Sequence, residues 1–137
     1  MRLLTAREHS RQELRGKLCA RGHPAELVEQ VVDDLAKAGL QSDERFTGAY
    51  IESRVRRGSG PLRIHAELRE RGIGDKLIAQ QLEGFAGQWW DELRRVHDSK
   101  YGSQAPADRK EMARRARFLE YRGFPAELIR QLLWHHE

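Results

Sequence analysis

The stretch Arg21–Leu27 reads RGHPAEL and Arg122–Leu128 reads RGFPAEL, so six of seven residues are identical at a separation of 101 residues. When the sequence is compared with itself at about half of that separation, a third copy becomes visible. A shift of 50 residues places one set of positions on chemically similar ones: Leu14, Leu18, Arg21, Gly22, Leu27, Val28, Val32 and Leu35 on Ile64, Leu68, Arg71, Gly72, Leu77, Ile78, Leu82 and Phe85. The chain is therefore internally repeated, and repeats of this length are typical of helical arrays.

Each copy is predicted to contain a helix, a glycine stop and a second helix. In the first copy Ser10 and Glu13 form a capping box, which satisfies free amides at the start of a helix. Gly22 ends that helix in the left-handed conformation, and Pro24 takes the first position of the next. The spacing predicts a buried stripe on this second helix, formed by Leu27, Val28, Val31, Val32 and Leu35.

The other two copies follow the same scheme. The middle one starts at Gly60-Pro61, buries Ile64 and Leu68, and stops at Gly72; the last starts at Asp108 with Glu111 as its capping partner, buries Met112, Ala116 and Leu119, and stops at Gly123. Longer helices are predicted between them, over Asp43–Arg57 with Ser42 as the cap and over Ala86–Lys100 with Trp89, Leu93 and Val96 on one face.

These elements predict three repeats of three helices, with boundaries at residues 1–41, 42–85 and 86–137. The first repeat is short, because Met1–Arg7 is only the end of its opening helix, and Tyr101–Ala107 is the candidate hinge. No segment alternates β-branched and polar residues, so no sheet is expected. The predicted fold is all-α: an elongated, curved tandem array of three-helix repeats.

Composition excludes several classes of protein. No apolar run approaches the ~18 residues of a membrane span, and the first ten residues lack the apolar segment of a signal peptide. Cys19 is the only cysteine, so neither a disulfide within the chain nor a cysteine-based zinc site is expected. The histidines are isolated, apart from the adjacent and diverging His135 and His136. We predict a cytoplasmic protein that is not an enzyme and has no metal or cofactor.

The distribution of charge along the chain indicates the candidate binding residues. The net charge is +4, and basic and acidic segments alternate along the chain. Lys110, Arg114, Arg117 and Tyr121 form a stripe at helical spacing, and the middle copy adds Arg54, Arg56, Arg57, Arg63, Arg69 and Arg71. Such faces bind phosphates or acidic protein surfaces, or are simply solvated. Trp90 is a weaker candidate for stacking on bases, whereas Trp89 is predicted to lie in the core.

One family shares these elements in order and spacing. The similarity rests on Arg7 to Leu14 with Lys17-Leu18, on Asp43, Phe46, Gly60-Pro61, Ile64, Glu67-Leu68 and Gly72-Ile73, and on Lys100, Gly102, Phe118-Leu119 and Arg122-Gly123-Phe124. In these residues the chain closely resembles the bacterial regulatory protein RecX family over nearly its whole length. Gly16, inside a predicted helix, and His23, where Ile73 and Phe124 are apolar, depart from the pattern.

The resemblance implies a modulator, mainly an inhibitor, of the RecA recombinase. Such a protein lies in the groove of the RecA–DNA filament and suppresses ATP hydrolysis, strand exchange and coprotease activity. The expected partner is the RecA filament, with single-stranded or double-stranded DNA as a further possible contact through the basic helices. We expect a monomer that binds no membrane. The alternative reading is a basic helical module that binds nucleic acid without RecA.

Overall fold

The computed structural model describes residues 7–134. The described range forms eight α-helices and no strand: α1 (Arg11–Ala20), α2 (Ala25–Lys37), α3 (Asp43–Arg56), α4 (Pro61–Glu70), α5 (Asp75–Glu83), α6 (Trp89–Tyr101), α7 (Arg109–Tyr121) and α8 (Ala126–Trp134). The prediction of an all-helical protein is confirmed. Most of the predicted opening helix at Met1–Arg7, and the pair His135-His136, lie outside the described residues.

The predicted helix starts are largely confirmed by their caps. The Ser10 hydroxyl accepts from the Glu13 N–H, and the Glu13 carboxylate accepts from the Ser10 N–H, both at 3.1 Å. Asp108 accepts from the Glu111 N–H at 2.8 Å. Pro24 is a correction, because its extended backbone makes it the cap and Ala25 the first helical residue.

The helix ends follow the repeated glycines. The backbone φ angles of the three Arg-Gly stops are 88° at Gly22, 86° at Gly72 and 101° at Gly123, in the region that only glycine adopts without strain. The predicted start of α6 at Ala86 is wrong, since the chain turns over residues 84–88 and the helix begins at Trp89. Two glycines in this stretch raise the cost of a helical backbone.

The chain divides into two compact units. Within the described range, the first comprises the residues up to Tyr50 together with Glu67–Gln81, and the second comprises Ile51–Ala66 together with the residues from Leu82 onward. Helices α3 and α4 therefore contribute residues to both units. No helix in the described part of the chain has the length and apolar character needed to cross a bilayer.

The core of the first unit is centred on α1 and α2. Four buried residues form it: Leu14, Leu18, Val28 and Val32. The predicted stripe on α2 was too wide, because Leu27 is 48% exposed. The buried line passes through Val28 and Val32, which are spaced i and i+4, and Leu27 lies about 100° away around the helix.

The second unit has a larger core, built by α6, α7 and α8. Eight buried residues form it: Leu93, Val96, Ala116, Leu119, Phe124, Ile129, Leu132 and Leu133. Trp89 and Met112 pack against this core as predicted, although both are only partly buried. Trp90 is also partly buried against it. Trp90 thus contributes to the packing of this unit, and its ring is only partly exposed.

The second and third Arg-Gly stops each contact the start of the first helix of the preceding copy. In the second unit Leu62 N–H donates to the Gly123 carbonyl at 2.9 Å. In the first unit the Gln12 amide donates to the Glu70 carbonyl at 2.9 Å, and a Cβ on Gly72 would overlap the Gln12 side chain. Among the described residues, nothing lies within 4 Å of the Cβ position of Gly22. The neighbouring His23 is exposed, which accounts for a polar residue at that position.

Candidate functional site

The stripe on α7 lies on an exposed face. Lys110, Arg114, Arg117 and Tyr121 are all exposed, and Tyr121 is 73% exposed. The opposite face of the helix carries the buried core residues. The Arg63 guanidinium lies 5.0 Å from the centre of the Tyr121 ring, a distance at which a cation is attracted to an aromatic face. The structure therefore extends the predicted stripe to Arg63, which belongs to the same unit.

The six arginines predicted in the middle copy are divided between the two units. Arg69 and Arg71 belong to the first unit, and the other four belong to the second. Arg71 donates to the Glu67 carbonyl at 2.9 Å, lies 3.8 Å from Glu13, and stands 4.8 Å from the Tyr50 ring. Arg69 lies 3.4 Å from Asp75. Arg71 is thus a packing residue of the first unit rather than an exposed contact.

A cleft of about 270 Å³ in the second unit collects a further set of cations. We call it the basic cleft, and define it by Arg56, Arg57, Arg95, Lys100 and Arg122. Gly58, Val96, Ser99 and Phe118 complete its lining. None of these lining residues carries a carboxylate. The cleft therefore concentrates positive charge in one concave place, which attracts anions more strongly than scattered charges do.

The end of α3 fixes two of these cations. Arg95 donates to the Val55 carbonyl at 2.9 Å. Arg122 donates to the Gly58 carbonyl at 3.2 Å and also to the carbonyl of Arg57. Carbonyls at a helix end lack partners within the helix and carry partial negative charge, so arginine is favourable there. The two guanidinium groups are thereby held in place.

One aromatic residue, Phe118, also lines the cleft. Lys100 Nζ lies 4.1 Å from the centre of the Phe118 ring, and the Arg122 guanidinium lies 5.9 Å from it. The Tyr101 ring meets Phe118 edge-on, with the ring centres 5.8 Å apart. These contacts place Lys100 at the cleft and occupy the ring of Phe118.

Sequence reasoning identified Arg56 and Arg57 but missed the remaining members of the basic cleft. Arg122 belongs to a predicted helix stop, and Arg95 and Lys100 lie on a helix whose sequence pattern indicates only an apolar stripe. The three come from positions far from Arg57 in sequence. Their spacing along the chain carries no signal of the cleft, so only the tertiary structure reveals it.

A buried arginine organises the linker that was predicted to be a hinge. Arg115 donates to the Gln104 carbonyl at 2.8 Å and to the Glu111 carboxylate at 2.6 Å. It also contacts the His97 ring nitrogen at 3.2 Å. The hydrogen bond from Arg115, together with one from the Ala107 N–H, holds the pKa of Glu111 below its ordinary value. Arg115 is buried and is committed to these contacts within the second unit.

The fold and these surfaces define a class of protein: a repeated helical protein that presents separate cationic faces. Three family models match the chain. They are the first, second and third three-helix domains of RecX, at residues 1–35, 42–82 and 87–133. The chain belongs to the RecX family.

Named relatives support this assignment. Regulatory protein RecX of Halorhodospira halophila is 45% identical over 130 residues, which cover 95% of this chain and 81% of that protein. Regulatory protein RecX of Pseudomonas syringae pv. tomato is 41% identical over 133 residues, 97% of this chain and 86% of that protein. Both are named as regulatory proteins rather than as enzymes.

Solved structures share the fold. A crystal structure of a regulatory protein RecX superposes with a TM-score of 0.81 at 21% identity, covering 98% of this chain and 67% of the other. The crystal structure of RecX from Lactobacillus salivarius gives a TM-score of 0.80 at 17% identity, covering 96% and 87%. The predicted family and the three-helix organisation are confirmed.

Proposed function

We propose that this protein binds the RecA–DNA filament and modulates it. Its main effect is inhibition of RecA ATP hydrolysis, strand exchange and coprotease activity, in DNA repair, recombination and the SOS response. The observation that carries the proposal is the match of three RecX domains, which together span residues 1–35, 42–82 and 87–133. We further infer a monomeric, cytoplasmic protein without catalytic activity of its own.

A filament regulator of this kind works through contact area rather than chemistry. A repeated protein can touch several protomers, and each additional contact then forms at high effective concentration. The stripe on α7 and the pair Arg56-Arg57 are the contact sites that we assign to the filament. Their exposure supports this assignment.

The basic cleft favours a second candidate, a module that binds nucleic acid without RecA. The two functions differ in their salt dependence and in the amount of protein required. Binding to DNA by charge alone weakens steeply with salt and requires enough protein to cover the DNA. A filament modulator acts at amounts too small to coat the DNA.

The decisive experiment is DNA-dependent ATP hydrolysis by preformed RecA filaments, with this protein titrated in. We expect inhibition well below the amount needed to cover the DNA. Inhibition that appears only at DNA-coating amounts would favour the second candidate. An unchanged rate of hydrolysis at one protein per RecA protomer would contradict both the proposed function and its mechanism.

A further inference from the structure

We propose that Tyr121 is an anchor for protein binding, held in position by Arg63, and that it takes a partner segment in which carboxylates flank an apolar side chain. The proposal rests on the function proposed above, since the partner is a protomer of the filament. It deepens that function by naming the anchor and the chemistry that it recognises. Its basis lies in the second unit, where the start of α4 meets the stop after α7.

Backbone contacts join these two segments and place Arg63. The Leu62 N–H donates to the Gly123 carbonyl at 2.9 Å, and a Cβ on Gly123 would overlap the backbone and the Cβ of Arg63. The Arg63 guanidinium then lies 5.0 Å from the centre of the Tyr121 ring. A tyrosine side chain has few rotatable angles, so a ring steadied in this way loses little further freedom when a partner binds it.

The same place carries the most exposed apolar surface of the described residues. Tyr121 is 73% exposed and Leu62 is 58% exposed, more than any other large hydrophobic side chain in residues 7–134. The two residues come from different copies of the repeat, and the bond from Leu62 to Gly123 places them on neighbouring turns. Exposed apolar side chains that adjoin one another mark surfaces that bind another protein, and tyrosine and arginine are enriched among the residues that dominate such interfaces.

The charges around Tyr121 determine which partner this surface fits. Arg114 and Arg117 are exposed on the same face of α7 as Tyr121, and neither forms a salt bridge with another described residue. Glu120 is the exposed acidic residue beside them. Because Arg63, Arg114 and Arg117 outnumber Glu120, the surface favours a partner that presents carboxylates.

The apolar members of the surface favour a protein over a nucleic acid. Leu62 has nothing to offer a phosphate, and its exposed side chain gains free energy only against apolar atoms. Apolar and aromatic side chains surrounded by charged ones are the arrangement of an interface core and its polar rim. The partner segment therefore packs an apolar side chain on Leu62 and Tyr121, and its carboxylates reach the arginines.

The test measures the affinity of the full chain, labelled at Cys19, for RecA filaments preformed on single-stranded DNA. Cys19 is exposed and belongs to the first unit, whereas the changed residues belong to the second. Tyr121→Ala removes the anchor, and Tyr121→Phe keeps the ring as the matched control. Arg63→Met keeps the stem beside Gly123 but removes the cation. Each variant is also titrated with the same DNA alone, and its melting temperature verifies folding.

We expect Tyr121→Ala to weaken filament binding about thirtyfold, the loss typical of an interface anchor. Tyr121→Phe should stay within about twofold of the wild type, because the ring is retained. Arg63→Met should weaken binding about threefold, and should add nothing further to Tyr121→Ala, because Arg63 acts through the ring. The affinity of Tyr121→Ala for the DNA alone should not change.

Arg114→Gln together with Arg117→Gln tests for the carboxylates of the partner. This pair of changes should weaken filament binding about tenfold and reduce its dependence on salt, while the affinity for the DNA alone falls by less than about twofold. Tyr121→Ala should leave the salt dependence of filament binding unchanged, because the ring carries no charge.

Four results would overturn the proposal. If the wild type binds and inhibits the filament but Tyr121→Ala binds it equally well, the anchor is wrong and the proposed function stands. Additive losses in the combined Arg63 and Tyr121 variant would remove the positioning role of Arg63. Losses of DNA affinity as large as the losses of filament affinity would assign the surface to nucleic acid. Absence of filament binding by the wild type would overturn this proposal together with the proposed function.

Discussion

The backbones of Gly60 and Gly123 are in direct contact: a Cβ on Gly60 would come within 2.5 Å of the Gly123 carbonyl carbon. The Gly60 N–H donates to the Arg122 carbonyl at 2.7 Å. Two turns of the second unit, one ahead of α4 and one ahead of α8, are joined at this point. The contact leaves no room for a side chain at Gly60.

Gly60→Ala should therefore destabilise the protein by about 1–3 kcal/mol, because the new methyl group overlaps a backbone rather than a flexible side chain. Chemical denaturation measures the loss. Gly16→Ala is the matched control, since Gly16 lies inside α1 with nothing within 4 Å of its Cβ position. That change should stabilise the protein by up to about 1 kcal/mol. A Gly60→Ala variant with an unchanged free energy of unfolding would contradict this contact.

Leu68 tests the repeat register. Its side chain is fully buried, and Leu68→Ala should cost about 2–5 kcal/mol by leaving a cavity. Leu62 lies on the same helix but is 58% exposed, so Leu62→Ala should change stability by less than about 0.5 kcal/mol. Equal effects of the two substitutions on the free energy of unfolding would mean that the buried face of α4 is wrongly assigned.

Arg115 tests the anchoring of the linker. Arg115→Met keeps most of the side-chain volume but removes the bonds to Gln104 and Glu111, and should cost about 1–3 kcal/mol. Cleavage by a protease should also rise within residues 102–108. Arg114→Met, at the neighbouring exposed position, should change neither quantity appreciably. Unaltered cleavage in the Arg115 variant would show that the linker is held by other contacts.

The surroundings of the His9 ring predict that the protein loses stability on acidification. Burial, and then the positive charge of Arg7, lower its pKa from 6.5. The ring faces the Arg7 carbonyl at 3.1 Å and the Lys17 amine at 2.8 Å. As the pH falls below about 6.5, the unfolded chain takes up the proton before the folded one, so the free energy of unfolding decreases.

The measurement is the free energy of unfolding between about pH 7 and pH 5 for the wild type and for His9→Gln. The variant lacks the titrating group, so its dependence on pH in this window should be shallower. Identical slopes for the two proteins would assign the acid sensitivity to other groups.

The last prediction concerns the filament. Arg114→Glu together with Arg117→Glu should leave the melting temperature nearly unchanged, because both residues are exposed, while inhibition of RecA should fall. Charges at the rim of an interface mainly set the association rate, whereas desolvated ones cost about 2–5 kcal/mol when their partner is left unpaired. The parallel reversal at Arg56 and Arg57 should remove part of the inhibition, and all four changes more. Full inhibition by folded proteins carrying either reversal would show that both faces are merely solvated.

The sequence alone determined the helical class, the repeat and most helix ends. These features depend on local chemistry: the Ser10 capping box requires only the first turn of a helix, and the stops at Gly22, Gly72 and Gly123 require only a residue that tolerates positive φ. The similarity in order and spacing also gave the RecX family. The start of α6 was misplaced, because helix propensity is weak evidence at an element boundary.

Only the tertiary structure decided which side of a helix is used and which distant residues meet. The burial of Val28 and the exposure of Leu27 depend on what packs against α2, and the inward position of Arg71 depends on Glu13 and Tyr50. Arg57, Lys100 and Arg122 form a cleft because three helices converge there. Periodicity assigns residues to a face of one helix, but contacts between helices depend on packing geometry, which no local pattern encodes.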